Sequence, residues 1–131
     1  MPLALDHLIL RVNDARESVD FYTRVLGFTD DGQDGPFSVV RVNEGLTLQL
    51  APWSTQGGEH LAFAMTRPEF EAVFQRVRDA GIEFGDSFHA VGNNLGPGNE
   101  VGARGPGQTL YMFDPNKHLI EIRHYESQNA H

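Results

Sequence analysis

At 131 residues with no cysteine, the chain is long enough to bury one hydrophobic core without disulfides or a structural metal, and thiolate chemistry is excluded. A formal net charge of −8 opposes a phosphate backbone, which proteins grip with clustered Lys and Arg, so no nucleic-acid partner is expected. No stretch reaches the roughly 18 apolar residues of a membrane helix and the N-terminus lacks a signal-peptide plan, so the expectation is no membrane partner and a cytoplasmic location.

The chain begins with strand alternation. In LDHLILRVNDA (5–15), Leu8, Leu10 and Val12 fall on one face and His7, Ile9 and Arg11 on the other, because strand side chains have period two. From Asn13 the spacing changes to helix: Asn13 or Asp14 is the N-cap, Val19, Tyr22, Val25 and Leu26 recur on one face, and Gly27 ends it. Strand-like runs come next at 28–30, 37–42 and 46–50, separated by the breakers DGQDGP and NEG. Residues 3–52 therefore read βαβββ.

After APWSTQGG the plan restarts. EHLAFAMTRPEFEAVFQRVRDAGIEFGD can be laid on DHLILRVNDARESVDFYTRVLGFTDD, with an acidic residue, His and Leu at 6–8 and 59–61, an Arg-Val pair in each helix, and a closing glycine at Gly27 and Gly81. His60 is then the counterpart of His7, and Gln49, in the strand that closes the first half, is the counterpart of Glu121. The resulting organisation is one α+β domain over 1–131, made of two βαβββ modules at about 3–52 and 58–126. The stretch HAVGNNLGPGNEVGARGPGQ (89–108) is rich in Gly, Asn and Pro and reads as a long loop, either a lid or a disordered surface excursion.

Alternation places His7, Gln49, His60 and Glu121 on the face opposite the helix-packing side chains. A lone histidine in a strand is ordinarily a satisfied or half-exposed residue. A histidine at the matching place of both halves, with a carboxylate closing the second, is instead a donor set for a divalent metal such as Fe, Mn, Ni or Zn. Arg123 shares the face of Glu121 and either binds an anionic substrate or pairs with that carboxylate. Trp53, Phe37 and Phe113 either line a pocket for a flat molecule or belong to the core. Arg104 either clamps a substrate or is solvated. His118 reads as a turn residue, and His124 and His131 as surface.

Taken together, DHLILRV with FYTRVLGF, EHLAFAM, and TLYMFDPNKHLIEI resemble the vicinal oxygen chelate superfamily: the glyoxalase, bleomycin-resistance and extradiol-dioxygenase proteins. The resemblance covers essentially the whole chain. It implies a curved, partly open mixed sheet around a central cleft, a homodimer with sites shared between subunits, and His7, His60 and Glu121 as metal ligands. Glyoxalase I relatives carry a glutamate where this chain has Gln49, whose amide is no base near pH 7, so lactoylglutathione lyase is disfavoured and Gln49 is left as a substrate contact. Fosfomycin-resistance thiol transferases carry a threonine where this chain has Ile9. Extradiol dioxygenases carry a tyrosine ten residues before the glutamate, as Tyr111 precedes Glu121; their acid–base histidine has no firmly placed counterpart, with His89 at the edge of the long loop as the candidate. The resemblance leaves two functions as expectations. One is a metalloenzyme, a ring-cleaving dioxygenase or an isomerase acting on a small molecule through adjacent oxygens. The other is a dimeric protein of the bleomycin-resistance type that sequesters an antibiotic or metabolite without chemistry.

Overall fold

The alternating start of the chain becomes strand β1 (His7–Arg11) in the computed structural model, which describes residues 3–126. Leu10 and Val12 are buried while His7, Ile9 and Arg11 face outward. Asp14 caps the helix α1 (Ala15–Asp20), its carboxylate accepting the Glu17 N–H at 3.0 Å. The helix continues as one π-helical turn, Phe21–Val25, and stops at Gly27, whose φ of +85° costs a glycine nothing. Tyr22, Val25 and Leu26 are buried as their spacing requires.

Three strands complete this half: β2 (Thr29–Asp34), β3 (Phe37–Asn43) and β4 (Leu46–Ala51). β2 is longer than composition suggests. It runs through Asp31–Asp34 because a bulge, with Gly32 at φ +87°, absorbs the irregularity between Asp30 and Gln33. The sheet order is β1-β4-β3-β2, with β1 and β4 parallel and the other pairs antiparallel. Val40, Leu48 and Leu50 form its buried face, each such side chain contributing about 1.5–3 kcal/mol by leaving water.

The chain divides into two compact units at Gly57/Gly58. The second begins with β5 (His60–Ala64) and helix α2 (Arg67–Asp79). Thr66 and Glu69 form a reciprocal capping box at the start of α2, and Phe70, Val73, Phe74 and Val77 supply its buried stripe. Strands β6 (Phe84–Gly85), β7 (Gly98–Gly102), β8 (Gly105–Phe113) and β9 (Leu119–Tyr125) complete it. The order is β5-β9-β8-β6, with β7 also pairing with β8. β5 and β9 are parallel and the rest antiparallel. The architecture is α+β with two mixed sheets, neither closed into a barrel.

The expectation of a continuous loop over 89–108 is corrected. Only its first part is irregular; Gly98–Gly102 and the start of β8 form an antiparallel hairpin. Gly98 and Gly107 are packing residues: a side chain at Gly98 would meet the Asp86 carbonyl, and one at Gly107 the His124 carbonyl.

The β8–β9 turn sets the start of the last strand. The buried Asp114 carboxylate accepts the backbone N–H groups of Asn116 (2.8 Å) and His118 (2.9 Å). His118 is buried, and its Nδ1 accepts the Glu59 N–H at 3.2 Å. It is indeed a turn residue, and it ties the start of β5 to the start of β9.

Candidate functional site

Parallel pairing gives both units the same internal register. Ile9 lies opposite Gln49 in the first, and Ala62 opposite Glu121 in the second. Side chains that share a face recur every two residues, so His60, Ala62 and Ala64 on β5 stand beside Glu121, Arg123 and Tyr125 on β9. Tyr111 on β8 is the direct cross-strand partner of Glu121.

His60 Nε2 lies 3.0 Å from Glu121 Oε1, and Arg123 Nη1 donates to Glu121 Oε2 at 2.8 Å. Glu121 and Arg123 are buried, so each compensates a charge that would otherwise be costly away from water. Arg123 Nη2 donates to the Glu100 carbonyl at 2.8 Å, and its guanidinium stacks on Tyr125, 4.6 Å from the ring centroid. Tyr111 meets His60 edge to face at 6.4 Å. Burial, then the charges of Glu121 and Glu100, pushes the Tyr111 phenol up to about 12. Near neutral pH it is therefore a hydrogen-bond donor and not a phenolate.

His60, Tyr111, Glu121, Arg123 and Tyr125 line an open cavity of about 590 Å³ together with Phe88, Glu100, Val101 and Arg104. Phe113 shares the Tyr111 face but stands outside this lining, 47 % exposed. His89 is exposed and packs on Phe88, its ring centroid 4.8 Å away, without entering the cavity lining.

The remaining candidates lie in the first unit. His7 is exposed, with Nδ1 held 2.8 Å from the Asp6 carboxylate, which leaves Nε2 as the free nitrogen. Gln49 is half-buried on the same sheet face. Trp53 packs edge-on against Phe37 at 5.5 Å, with the Arg11 guanidinium over its ring.

The reading of His124 as surface is corrected. It has the inward parity of Ile120 and Ile122, is 3 % exposed, lies 4.9 Å from the Phe70 ring and bonds Gln108 Oε1 at 2.8 Å. His131 lies outside the described residues. Sequence reasoning misses Phe88, Glu100 and Tyr125. Tyr125 is recoverable from the period that relates it to Glu121 and Arg123, whereas Glu100 is concealed by the glycine-rich composition around it.

A metal fits part of this arrangement. Two adjacent donors on a six-coordinate ion, each about 2.1 Å from it, are about 3.0 Å apart, which is the His60–Glu121 separation. Among the described residues no group of three His, Asp or Glu side chains surrounds one point, so a full ligand set requires a donor from elsewhere. No helix among those residues is long and apolar enough to cross a membrane.

A sequence model described as the Glyoxalase/Bleomycin resistance protein/Dioxygenase superfamily matches residues 4–122. Virulence protein STM3117 of Salmonella typhimurium is 28 % identical over 130 residues, which span 92 % of this chain and 83 % of that protein. Glutathione transferase FosA of Serratia marcescens is 25 % identical, spanning 91 % of this chain and 79 % of that one. Among solved structures, oxidase ChaP-H1 superposes with a TM-score of 0.80 at 26 % identity, covering 96 % of this chain and 98 % of its own.

Proposed function

The chain belongs to the Glyoxalase/Bleomycin resistance protein/Dioxygenase superfamily, and from that premise we propose that it is a divalent-metal-dependent enzyme acting on a small organic substrate through two adjacent oxygens. The observation that carries the reading is the His60 Nε2 to Glu121 Oε1 pair, 3.0 Å apart on the wall of a cavity. His7, His60 and Glu121 would hold the ion, which is Fe, Mn, Ni or Zn. A homodimer, in which His7 and His60 of one site come from different subunits, would complete the set. Bound there, the ion would supply Lewis-acid stabilisation of negative charge on the substrate oxygens.

The chain's own residues define the rest. Tyr111 presents a phenolic proton to a substrate oxygen and keeps it, given its raised pKa. Arg123 occupies the second oxygen of Glu121, so this carboxylate has one oxygen left for the ion and is poorly placed to abstract a proton. Gln49 offers an amide that orients a substrate without acting as a base. These features favour ring cleavage or isomerisation over lactoylglutathione-lyase chemistry. Oxidase ChaP-H1 and glutathione transferase FosA, both similar to this chain, bear names that denote enzymes.

A second reading is sequestration of an antibiotic or metabolite without chemistry. The observation that favours it is that the Arg123 guanidinium already compensates the Glu121 charge with no need of a metal ion. Elemental analysis of protein purified without chelator separates the two. Stoichiometric metal in the wild type, lost in His60→Ala, is expected for the enzyme; its absence from both samples supports sequestration. Mixing His7→Ala with His60→Ala subunits is expected to restore metal binding in heterodimers, and failure with proven subunit exchange would place the ligands in one chain.

A further inference from the structure

The cavity of the second unit is electrically uneven. Arg123, deep in the wall, is spent on Glu121 and on the Glu100 carbonyl. Arg104 is not spent. It sits in the turn between β7 and β8, exposed, and forms no ion pair among the described residues, yet its guanidinium is held 4.7 Å over the Tyr125 ring at the cavity edge. Its backbone is pinned too, its N–H donating to the Tyr125 hydroxyl at 3.3 Å. A guanidinium held against an aromatic face by a cation–π contact still has N–H groups to offer, and a guanidinium can take a carboxylate in two parallel hydrogen bonds.

The same hairpin carries an acid. Glu100 lies two ladder positions inside the turn, opposite Gly107, and lines the same cavity. Its charge is felt at Tyr111. A ligand with one anionic end satisfies Arg104; a second negative charge near Tyr111 would meet both Glu100 and Glu121. The walls between these ends are apolar or small: Phe88 and Val101 are 57 % and 79 % exposed at the rim, and Ala62 and Ala64 leave space on β5.

We propose that Arg104 is the specificity residue of this cavity and selects an organic monocarboxylate with an apolar body, its carboxylate on Arg104 and its far end toward His60, Tyr111 and Glu121. The proposal rests on the reading of this cavity as the substrate site. It is independent of the reaction carried out there.

Benzoate and its neutral isostere benzamide are suitable probes, measured by calorimetry or ligand-observed NMR on the full chain, with and without chelator treatment. Benzoate is expected to bind about tenfold more tightly than benzamide, the worth of one charge-assisted pair. Arg104→Gln is expected to abolish that preference while leaving benzamide within about twofold, Arg104→Lys to restore part of it, and Glu100→Gln to strengthen benzoate about two- to threefold. Thermal melts check that each variant is folded. Equal binding of the two probes to wild type, or a preference that survives Arg104→Gln, overturns the proposal. A preference that chelation removes and Arg104→Gln does not would assign the carboxylate to a bound metal, which also overturns it. If elemental analysis finds no metal but the preference still depends on Arg104, the enzymatic reading falls and this inference stands.

Discussion

Gly102 lies directly beneath the guanidinium of Arg123: a methyl group at position 102 would run into the Arg123 guanidinium and the Tyr125 hydroxyl. Glycine is required there by close approach, because the β7 backbone closes over the arginine that anchors Glu121. Gly102→Ala is therefore expected to displace Arg123 and cost about 1–3 kcal/mol, the usual penalty for overpacking. Urea denaturation checks the stability, and weakened benzoate binding would accompany it as the cavity wall shifts. An unchanged midpoint would mean that the hairpin yields without strain.

Removing the arginine itself is a harsher test. Glu121 and Arg123 have side-chain exposures of only 7 % and 5 %, so Arg123→Met leaves a buried carboxylate with His60 as its remaining partner. The expected cost is about 3–5 kcal/mol, most of it the penalty of an uncompensated charge. Glu121→Met combined with Arg123→Met is expected to recover much of that loss. A double mutant as unstable as the sum of the two single variants would show that the pair is not coupled.

How far the sequence reaches is visible in these residues. The βαβββ plan of the first unit, a cap at Asn13 or Asp14 and the glycine stops at Gly27 and Gly81 arise from local pattern, the correspondence of Gln49 with Glu121 arises from the internal repeat, and parallel pairing gives both strands the same register. Glycine-rich composition misleads at 98–107 because it has two opposite physical causes. Glycine frees a loop, and it also lets two backbones or a guanidinium approach closely; only the neighbours of Gly98, Gly102 and Gly107 distinguish these. Residue type misleads at His124, where strand parity points inward. Arg123 has two open roles in sequence, and in the structure it is paired with Glu121 while lining the cavity. The environment of Arg104 depends on Tyr125, 21 residues away, a contact no local pattern encodes.

The Asp114 carboxylate takes hydrogen bonds across the turn ahead of β9, beside the backbone bonds Asp114 N–H to the His118 carbonyl and Lys117 N–H to the Asp114 carbonyl, and its contribution can be measured. Asp114 Oδ1 takes two backbone N–H groups, those of Asn116 and His118, and the side-chain amide of Asn116 donates to Oδ2 at 3.1 Å. Hydrogen bonds to a charged acceptor contribute about 1.5–3 kcal/mol each, without full additivity. Asp114→Ala is expected to destabilise the fold by about 2–4 kcal/mol. Hydrogen exchange should show the lost protection beginning at the amides of Asn116 and His118 and spreading to Leu119, whose N–H bonds the Glu59 carbonyl. Protection unchanged at these amides would show that the loop backbone holds itself.

His124 makes the fold sensitive to mild acid. Burial lowers its pKa below the ordinary 6.5, and the nearby Arg67 lowers it further, while Glu71 and Glu126 oppose the shift. The unfolded chain therefore takes up the imidazole proton at a higher pH than the folded protein does. Its contribution to stability is complete above about pH 6.5, declines as pH falls below that value, and is fully lost once pH passes the folded-state pKa. Wild type should show a lower urea midpoint at pH 5.5 than at pH 7.5. His124→Gln lacks the titrating group and should show a smaller difference between the same two conditions, even if it is less stable at both. Arg67→Gln, which removes the cation that adds to the burial effect, should reduce the difference to an intermediate value. Equal pH differences in wild type and His124→Gln would assign the acid sensitivity to other groups.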